Sequence, residues 1–383
     1  MSTERSIILH VGAPKCGSSA LQAALSEAPR LTTKAGETLA YTGLRARSDD
    51  WSLLSGRMLR SAARRSVHGY VSWPSTTAEN ETALFSALDH VRRKAGRAVP
   101  VVSNEGWIGQ ADAFAEALPH WFTQDAGAPV EICAFVRPPI DWLNAAYWQW
   151  GVWSGRPFQA WVERTEMPYS LGAMLTRWAA LPNTRLRLGF SGDVLAEFEE
   201  TEGVALPRPA QRNVSLPPAM LGFLMRNRRY RSNAHDNAAE FIFQRWCKME
   251  DGPRLWAVLP RHLFQLREAL RADIDLLFAL VPEDRARAIR AADPRWTSEE
   301  PYHERILQGR SRLDDPEELA QLYRVLVSGV GAAAAAAGKA VPKLPPVLST
   351  RASVHAWDVA VAQALEHLIA FDTDLRRRRL PFV

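Results

Sequence analysis

The chain has 383 residues, 47% of them hydrophobic, which is enough for a large buried core. Its net charge of +5 and isoelectric point near 9.3 suit anionic ligands, but basic and acidic residues alternate along the chain, so we do not expect nucleic-acid binding. Three cysteines, Cys16, Cys133 and Cys247, give the pattern of neither a disulfide framework nor a CxxC metal site, and we expect no metal.

The N-terminal segment lacks the basic start and the long apolar core of a signal peptide. We also find no apolar run of about 18 residues, the length that a membrane span needs. The sequence therefore predicts a cytoplasmic protein without an integral membrane segment.

Residues 6–22, SIILHVGAPKCGSSALQ, predict a strand, a tight loop and the start of a helix. The apolar β-branched run ends at Gly12, and the hydroxyl residues Ser18 and Ser19 open an apolar-periodic stretch. A helix N-terminus offers unpaired N–H groups and a positive dipole end, and Lys15 adds a charge, so the loop is a candidate seat for a phosphorylated nucleotide. The alternative is an ordinary strand–turn–helix junction. The candidate ligand-binding residues are Gly12, Pro14, Lys15, Cys16, Gly17, Ser18 and Ser19.

The loop differs from a Walker A sequence, in which the lysine directly follows the second glycine. Here Ser18 follows Gly17, and the lysine lies inside the loop at position 15. This P-K-x-G-[ST]-[ST] arrangement resembles the 5′-phosphosulfate loop of sulfotransferases that use 3′-phosphoadenosine-5′-phosphosulfate (PAPS). The resemblance implies that Lys15 is catalytic and neutralises charge on the leaving 5′-phosphate.

A second predicted strand, residues 99–103, is followed by Asn104 and Glu105. Several bacterial and glycan-modifying sulfotransferases carry an acidic group at this place, and the resemblance implies that Glu105 is the general base. The alternative is that Glu105 caps the following helix or pairs with an arginine. We interpret His10 as a packed core histidine and His68 as a weaker alternative base.

A third apolar run, residues 131–136, ends at Arg137 and predicts a covered parallel strand followed by a helix that begins with proline. This pattern resembles the 3′-phosphate-binding segment of the same family, which implies that Arg137 binds that phosphate; a structural salt bridge is the alternative. The family usually has a serine where this chain has Ala145, and we expect Asn144 or Tyr147 to replace it.

Tryptophans are frequent after Arg137, and their faces suit stacking on sugar rings, although at least half of them must lie in the core. We therefore hypothesise a small-molecule or glycan acceptor, such as a carbohydrate or glycolipid. The residues are Trp142, Trp148, Trp150 and Trp153, with Trp107 and Trp161 nearby in sequence.

The resemblance continues patchily over residues 5–282, through a predicted strand near 184–190 and an N-x-S sequence at Asn213. The late basic sequence Gly309-Arg310-Ser311-Arg312 is similar to a loop that closes on the 3′-phosphate in some members. A solvated arginine pair is the alternative for that sequence.

We predict an α/β fold with a central parallel β-sheet flanked by helices, the P-loop-like sulfotransferase fold, and a helical C-terminal extension. The predicted α/β domain covers residues 1–328 and is helical from about 216. An alanine- and proline-rich linker follows over 329–346, and 347–383 contain an amphipathic helix that docks on the domain or on a second subunit, as in a homodimer.

The resemblance implies in-line transfer of a sulfuryl group from PAPS to an acceptor hydroxyl or amine, without a metal. One alternative is a non-catalytic relative that keeps the fold as a nucleotide-binding or scaffold protein. Another is a P-loop kinase, although no lysine follows Gly17 and no Walker B aspartate is recognised.

Overall fold

The computed structural model describes residues 6–47, 50–94, 96–164, 169–190, 192–208, 216–249, 254–309 and 312–378. Seven strands form one sheet in the order β2-β3-β5-β1-β6-β7, with β4 paired to β3. The strands are β1 (Ile7–His10), β2 (Arg30–Thr32), β3 (Thr38–Arg47), β4 (Asp50–Ser55), β5 (Ala98–Ser103), β6 (Val130–Phe135) and β7 (Thr184–Gly189).

Fifteen α-helices occur in the described residues. They are α1 (Ser18–Glu27), α2 (Gly56–Arg65), α3 (Glu81–Lys94), α4 (Ala111–Ala117), α5 (Pro139–Gln149), α6 (Phe158–Arg164), α7 (Leu171–Ala180), α8 (Val194–Glu202), α9 (Pro218–Arg226), α10 (Ala238–Trp246), α11 (Pro260–Ala279), α12 (Glu283–Ala292), α13 (Glu300–Leu307), α14 (Pro316–Ala337) and α15 (Val354–Arg378).

The central strands are buried along their whole length, as expected of parallel strands that helices cover on both faces. β3, β5, β1, β6 and β7 run parallel, which confirms the predicted α/β class with a mostly parallel sheet. The antiparallel strands β2 and β4, which both pair with β3, did not figure in the sequence prediction.

The strand order reverses direction at β1. Strands β2 to β5 lie on one side of β1, and the later strands β6 and β7 lie on the other side. In open α/β sheets, ligands bind at the carboxyl ends of the strands where the order reverses. The ends of β5, β1 and β6 therefore define the place where a site is expected.

The predicted linker is wrong in its first half, because α14 continues to Ala337. Alanine is the strongest helix former, so the alanine run extends the helix instead of ending it. Ala333, Ala334 and Ala337 are buried, and the helix stops at Gly338 with φ +63°. Within the predicted linker, residues 338–346 have neither helix nor strand.

The predicted C-terminal helix is α15, and it docks on the chain itself. Trp357, Val361, Leu365 and Leu368 are fully buried in a second hydrophobic cluster, formed with α9, α10 and α14. This second cluster holds the helical extension together.

Within the described ranges, one helix, α14, is long and apolar enough to cross a membrane by length and composition. The expectation that the chain holds no such apolar span is therefore wrong. Half of that helix window is buried inside the protein, where α14 packs along α15 and α10.

Truncating the α15 core should weaken the second cluster. We expect Leu365→Ala to lower the free energy of unfolding by about 2–5 kcal/mol, because it removes buried methyl groups and leaves a cavity. The matched control Val359→Ala changes a side chain of the same helix that is 56% exposed, and it should stay within about 0.5 kcal/mol. Urea unfolding followed by circular dichroism measures both; equal losses would contradict this packing.

Candidate functional site

The loop between β1 and α1 needs glycine at both ends. Gly12 has φ +68°, and a Cβ there would lie 2.6 Å from Glu105 Cα at the end of β5. Gly17 has φ +94°, and its Cβ would lie 2.4 Å from Val194 Cγ2 at the start of α8. The loop is therefore wedged between the end of β5 and α8.

Lys15 adopts a left-handed backbone conformation, φ +63°, which is unfavourable for a side chain with a Cβ. Neighbouring side chains hold this conformation. Arg137 Nη1 donates to the Lys15 carbonyl at 3.0 Å, and Trp142 Nε1 donates to the Pro14 carbonyl at 2.6 Å. Such over-determined strain is typical of functional loops.

Lys15 is half-buried, and its ammonium donates to Gln149 Oε1 at 2.6 Å. Burial lowers its pKa to about 8; Glu105 opposes this shift, and Arg137 and Arg231 add to it. The lysine therefore stands among charges from three separate parts of the chain.

Glu105 lies beside this loop. Burial raises the pKa of its carboxyl, while the Lys15 ammonium and the Lys15 backbone N–H act in the opposite direction. Glu105 does not cap the short turn at Trp107–Gly109, whose N-cap residue is Gly106 and which has no side-chain cap. Asn104 Oδ1 accepts the Gly106 N–H at 2.6 Å and closes the turn before it. The predicted base and the predicted catalytic lysine are thus neighbours.

The start of α1 presents an unpaired hydroxyl. Ser18 is 3% exposed, and its buried Oγ has no hydrogen-bond partner among the described residues. The Ser19 and Tyr70 hydroxyl oxygens are 3.4 Å apart. The Cys16 backbone N–H is already paired, because it donates to the Ala13 carbonyl at 3.1 Å. Burial raises the pKa of the Cys16 thiol to about 12. The backbone N–H groups of residues 17–19, at the start of α1, therefore remain available to a ligand.

Arg137 belongs to a cluster that the sequence did not reveal. The carboxylate of Asp141, in the first turn of α5, is fully buried and is surrounded by four guanidinium groups and the Tyr302 hydroxyl, which donates at 3.0 Å. The nitrogen–oxygen distances are 2.5 Å to Arg254, 3.2 Å to Arg295, 3.6 Å to Arg305 and 3.8 Å to Arg137.

The arginine cluster (Arg137, Arg254, Arg295 and Arg305) carries excess positive charge. Among the described residues, its ion pairs involve two carboxylates, Asp141 and Asp293, the latter 2.7 Å from Arg295. Four positive and two negative charges leave a net charge of +2. The side chains are 27–40% exposed, so this charge is accessible from solvent.

Asn144 is not free to bind a phosphate. Its side chain is 2% exposed, and its amide donates to the Leu255 carbonyl at 2.9 Å and accepts the Ala257 N–H at 2.8 Å. The geometry does not support the predicted cofactor contact of Asn144, because this amide fixes the segment beside Arg254. Tyr147 is engaged as well, through its hydroxyl to the Arg156 carbonyl at 2.9 Å.

His10 is a core histidine, as predicted. It is 1% exposed, its Nδ1 lies 2.7 Å from Ser103 Oγ, and Gln22 donates to the same hydroxyl oxygen at 3.0 Å. His68 lies 3.1 Å from Asn237 Oδ1, and burial lowers its pKa.

The tryptophans divide between the core and the surface. Trp107, Trp142 and Trp161 are buried, whereas Trp148, Trp150 and Trp153 are partly exposed. The Trp153 ring packs with two guanidinium groups, 4.3 Å from Arg231 and 4.7 Å from Arg228.

Two predicted sequences fall on or beside undescribed residues. Asn213, Arg310 and Ser311 lie outside the described ranges. Arg312 is exposed and pairs with Asp314 at 3.5 Å, at a distance consistent with a solvated arginine.

Two cavities flank this region. One of about 630 Å³ lies at the end of β7, and Phe190, Arg285 and Asp293 are among its lining residues. Asp293 connects it to the arginine cluster through Arg295. A larger cavity of about 930 Å³ lies between the turn at 226–229 and α15.

No family model, no curated protein and no solved structure matches this chain. What the site does is therefore inferred from its own residues. Asp141 could have been found from its spacing of four residues after Arg137 at a helix start. No sequence motif marks the other three arginines of the cluster, Arg254, Arg295 and Arg305, and only folding brings them together.

Removing the Asp141 charge should destabilise the protein by leaving the arginines unpaired. We expect Asp141→Asn to lower the free energy of unfolding by about 2–3 kcal/mol, less than the ~3–5 kcal/mol of a fully buried pair, because the arginines can turn to water. Sulfate should restore part of this loss. Asp112→Asn, in an exposed pair with Arg177, is the control and should lose under about 1 kcal/mol. Denaturant titration with and without sulfate tests this; equal losses would contradict it.

His10 should make stability depend on acid pH. Burial lowers its pKa from 6.5 to about 4, so the unfolded chain takes up the proton first. Its contribution is complete above pH 6.5 and is lost as the pH falls towards 4, by about 3 kcal/mol. Between pH 7 and 4, unfolding of His10→Asn should depend less on pH than unfolding of the wild type; parallel curves would show that His10 is not buried and neutral.

Proposed function

We propose that this chain is a PAPS-dependent sulfotransferase with a P-loop-like sulfotransferase fold, which transfers a sulfuryl group to an acceptor hydroxyl or amine. The observation that carries the proposal is the convergence of Lys15, Glu105 and Arg137 at the ends of three adjacent strands. These are the groups that the resemblance assigns to the leaving group, the base and the 3′-phosphate.

The loop fits the phosphosulfate end of such a donor. The N–H groups of residues 17–19 begin a ten-residue helix, and the buried Ser18 hydroxyl has no partner within the described chain. An unpaired buried hydroxyl is unfavourable unless a ligand completes its hydrogen bonds. Lys15 would hold its positive charge beside the same phosphate.

The arginine cluster fits the opposite end of the donor. A phosphate monoester carries about two negative charges near neutral pH, which matches the net +2 of the cluster. Planar guanidinium groups also suit phosphate oxygens. Arg254 and Arg305 would thereby supply the contacts that Ala145 and Asn144 do not.

The 630 Å³ cavity lies between α8 and α12 at the end of β7, and its volume is within the range of small-ligand sites. The ring of Phe190 lines it, and Phe278 stacks on that ring with centroids 5.4 Å apart. This cavity would give the adenosine part of the donor an apolar surface.

When bound, PAPS supplies a sulfuryl group on a phosphate leaving group. Glu105 would accept the proton of the acceptor hydroxyl, a role favoured by the burial that raises its pKa. Lys15 would stabilise the charge that develops on the departing phosphate; removing one such donor typically costs about 10²–10³ in rate. The partly exposed ring of Trp150 favours a carbohydrate or glycolipid acceptor.

Calorimetry with adenosine 3′,5′-bisphosphate tests the donor site. We expect the wild type to bind it, and Arg137→Ala to weaken binding by about 10–100-fold through loss of a charge-assisted hydrogen bond. Lys15→Ala should abolish transfer from PAPS while the far-ultraviolet circular dichroism stays unchanged. Arg177→Ala, on the exposed surface, is the control and should bind like the wild type.

Absence of binding to the wild type would overturn the proposal. Binding without turnover of PAPS, with any acceptor tried, would instead favour a non-catalytic nucleotide-binding protein. Mg²⁺-dependent hydrolysis of ATP would favour a kinase or NTPase.

A further inference from the structure

The Lys15 ammonium donates to a residue outside the loop, to which the resemblance assigns no role. Its partner is Gln149, the last residue of α5, which is 134 positions away in sequence. The acceptor is a neutral amide oxygen, so it holds the ammonium without cancelling its charge. The Gln149 amide thereby holds the ammonium on the α5 side of the loop without forming an ion pair.

Gln149 is itself held by a buried arginine. Arg231, from the segment between α9 and α10, is 1% exposed and donates to the Gln149 carbonyl at 2.8 Å. It also donates to the Ala234 carbonyl at 3.0 Å, pairs with Glu240, and stacks on Trp153. The end of α5 is thus tied to the helical extension.

The charged and titratable groups around Lys15 both attract and repel its ammonium. Glu105 faces it from the end of β5 and attracts it, whereas Arg137 from the end of β6 and Arg231 from the helical extension repel it. The Cys16 thiol is its neighbour in the loop. Without an acceptor on the α5 side, the ammonium would move towards the carboxylate.

We propose that Gln149 is a positioning residue that keeps Lys15 apart from Glu105, and that Arg231 fixes Gln149 in place. The inference rests on the proposed function, in which a charged lysine and a free carboxylate have separate tasks. In a direct Lys15–Glu105 ion pair, each charge would be compensated by the other, so neither the cation for the leaving group nor the base would be available.

The pH dependence of Lys15 acetylation tests the proposal without any ligand. Trace acetic anhydride modifies only the neutral amine, and peptide mass spectrometry reads each of the six lysines separately, with exposed Lys34 as the internal reference. In Gln149→Leu, pairing with Glu105 should raise the pKa of Lys15 and slow its acetylation at pH 8 about tenfold. In Gln149→Leu/Glu105→Gln, the carboxylate is gone and acetylation should be at least as fast as in the wild type.

The control is Gln159→Leu, which changes an exposed glutamine on α6 that donates to Glu163. It should leave the Lys15 profile unchanged. Faster or unaltered acetylation in Gln149→Leu would overturn the proposal, and so would slow acetylation that persists in the double variant. Binding of adenosine 3′,5′-bisphosphate, measured separately, decides the donor site, so the two failures are distinguishable.

Discussion

The buried carboxylate of Asp141 is the interaction on which the site depends. It lies one helical turn after Arg137 and draws guanidinium groups from α13 and from the segments before α11 and α13 to the end of β6. Because like charges repel, these arginines would not gather without a central anion. Asp141 thus gathers three further arginines around Arg137 and creates a concentrated positive surface beside the loop.

The loop between β1 and α1 and the arginine cluster around Asp141 differ in net charge. Around the loop, one ammonium and one carboxylate nearly balance, and burial moves both pKa values towards neutrality. Around Asp141, positive charge is left over and is partly open to solvent. A ligand with an anionic group at each end would meet the Lys15–Glu105 pair at one end and the arginine cluster at the other, an arrangement that the proposed transfer requires.

Local patterns were enough to predict the parallel core and the loop, because buried strands and helix starts depend on neighbouring residues in sequence. The alanine run that ends at Ala337 was misjudged, since a low-complexity stretch was interpreted as a linker although alanine favours helix. Asn144 was assigned from its place next to Ala145, but its rotamer depends on the segment at 255–257, which comes from elsewhere in the fold. Long-range partners such as Gln149 and Arg254 leave no local signal, and only packing selects them.

The C-terminal end of α15 lies against residues 65–67, which precede His68 and Tyr70 beside the start of α1. Asp372, almost fully buried, pairs with Arg245 and Arg376; Arg245 donates to the Val67 carbonyl, and Arg376 to that of Arg65. Residues that begin near position 65 therefore obtain their anchor from a residue 311 positions later. During synthesis on the ribosome, the contact that fixes the Arg65 carbonyl, ahead of His68 and Tyr70, can form only after Arg376 has been added to the chain.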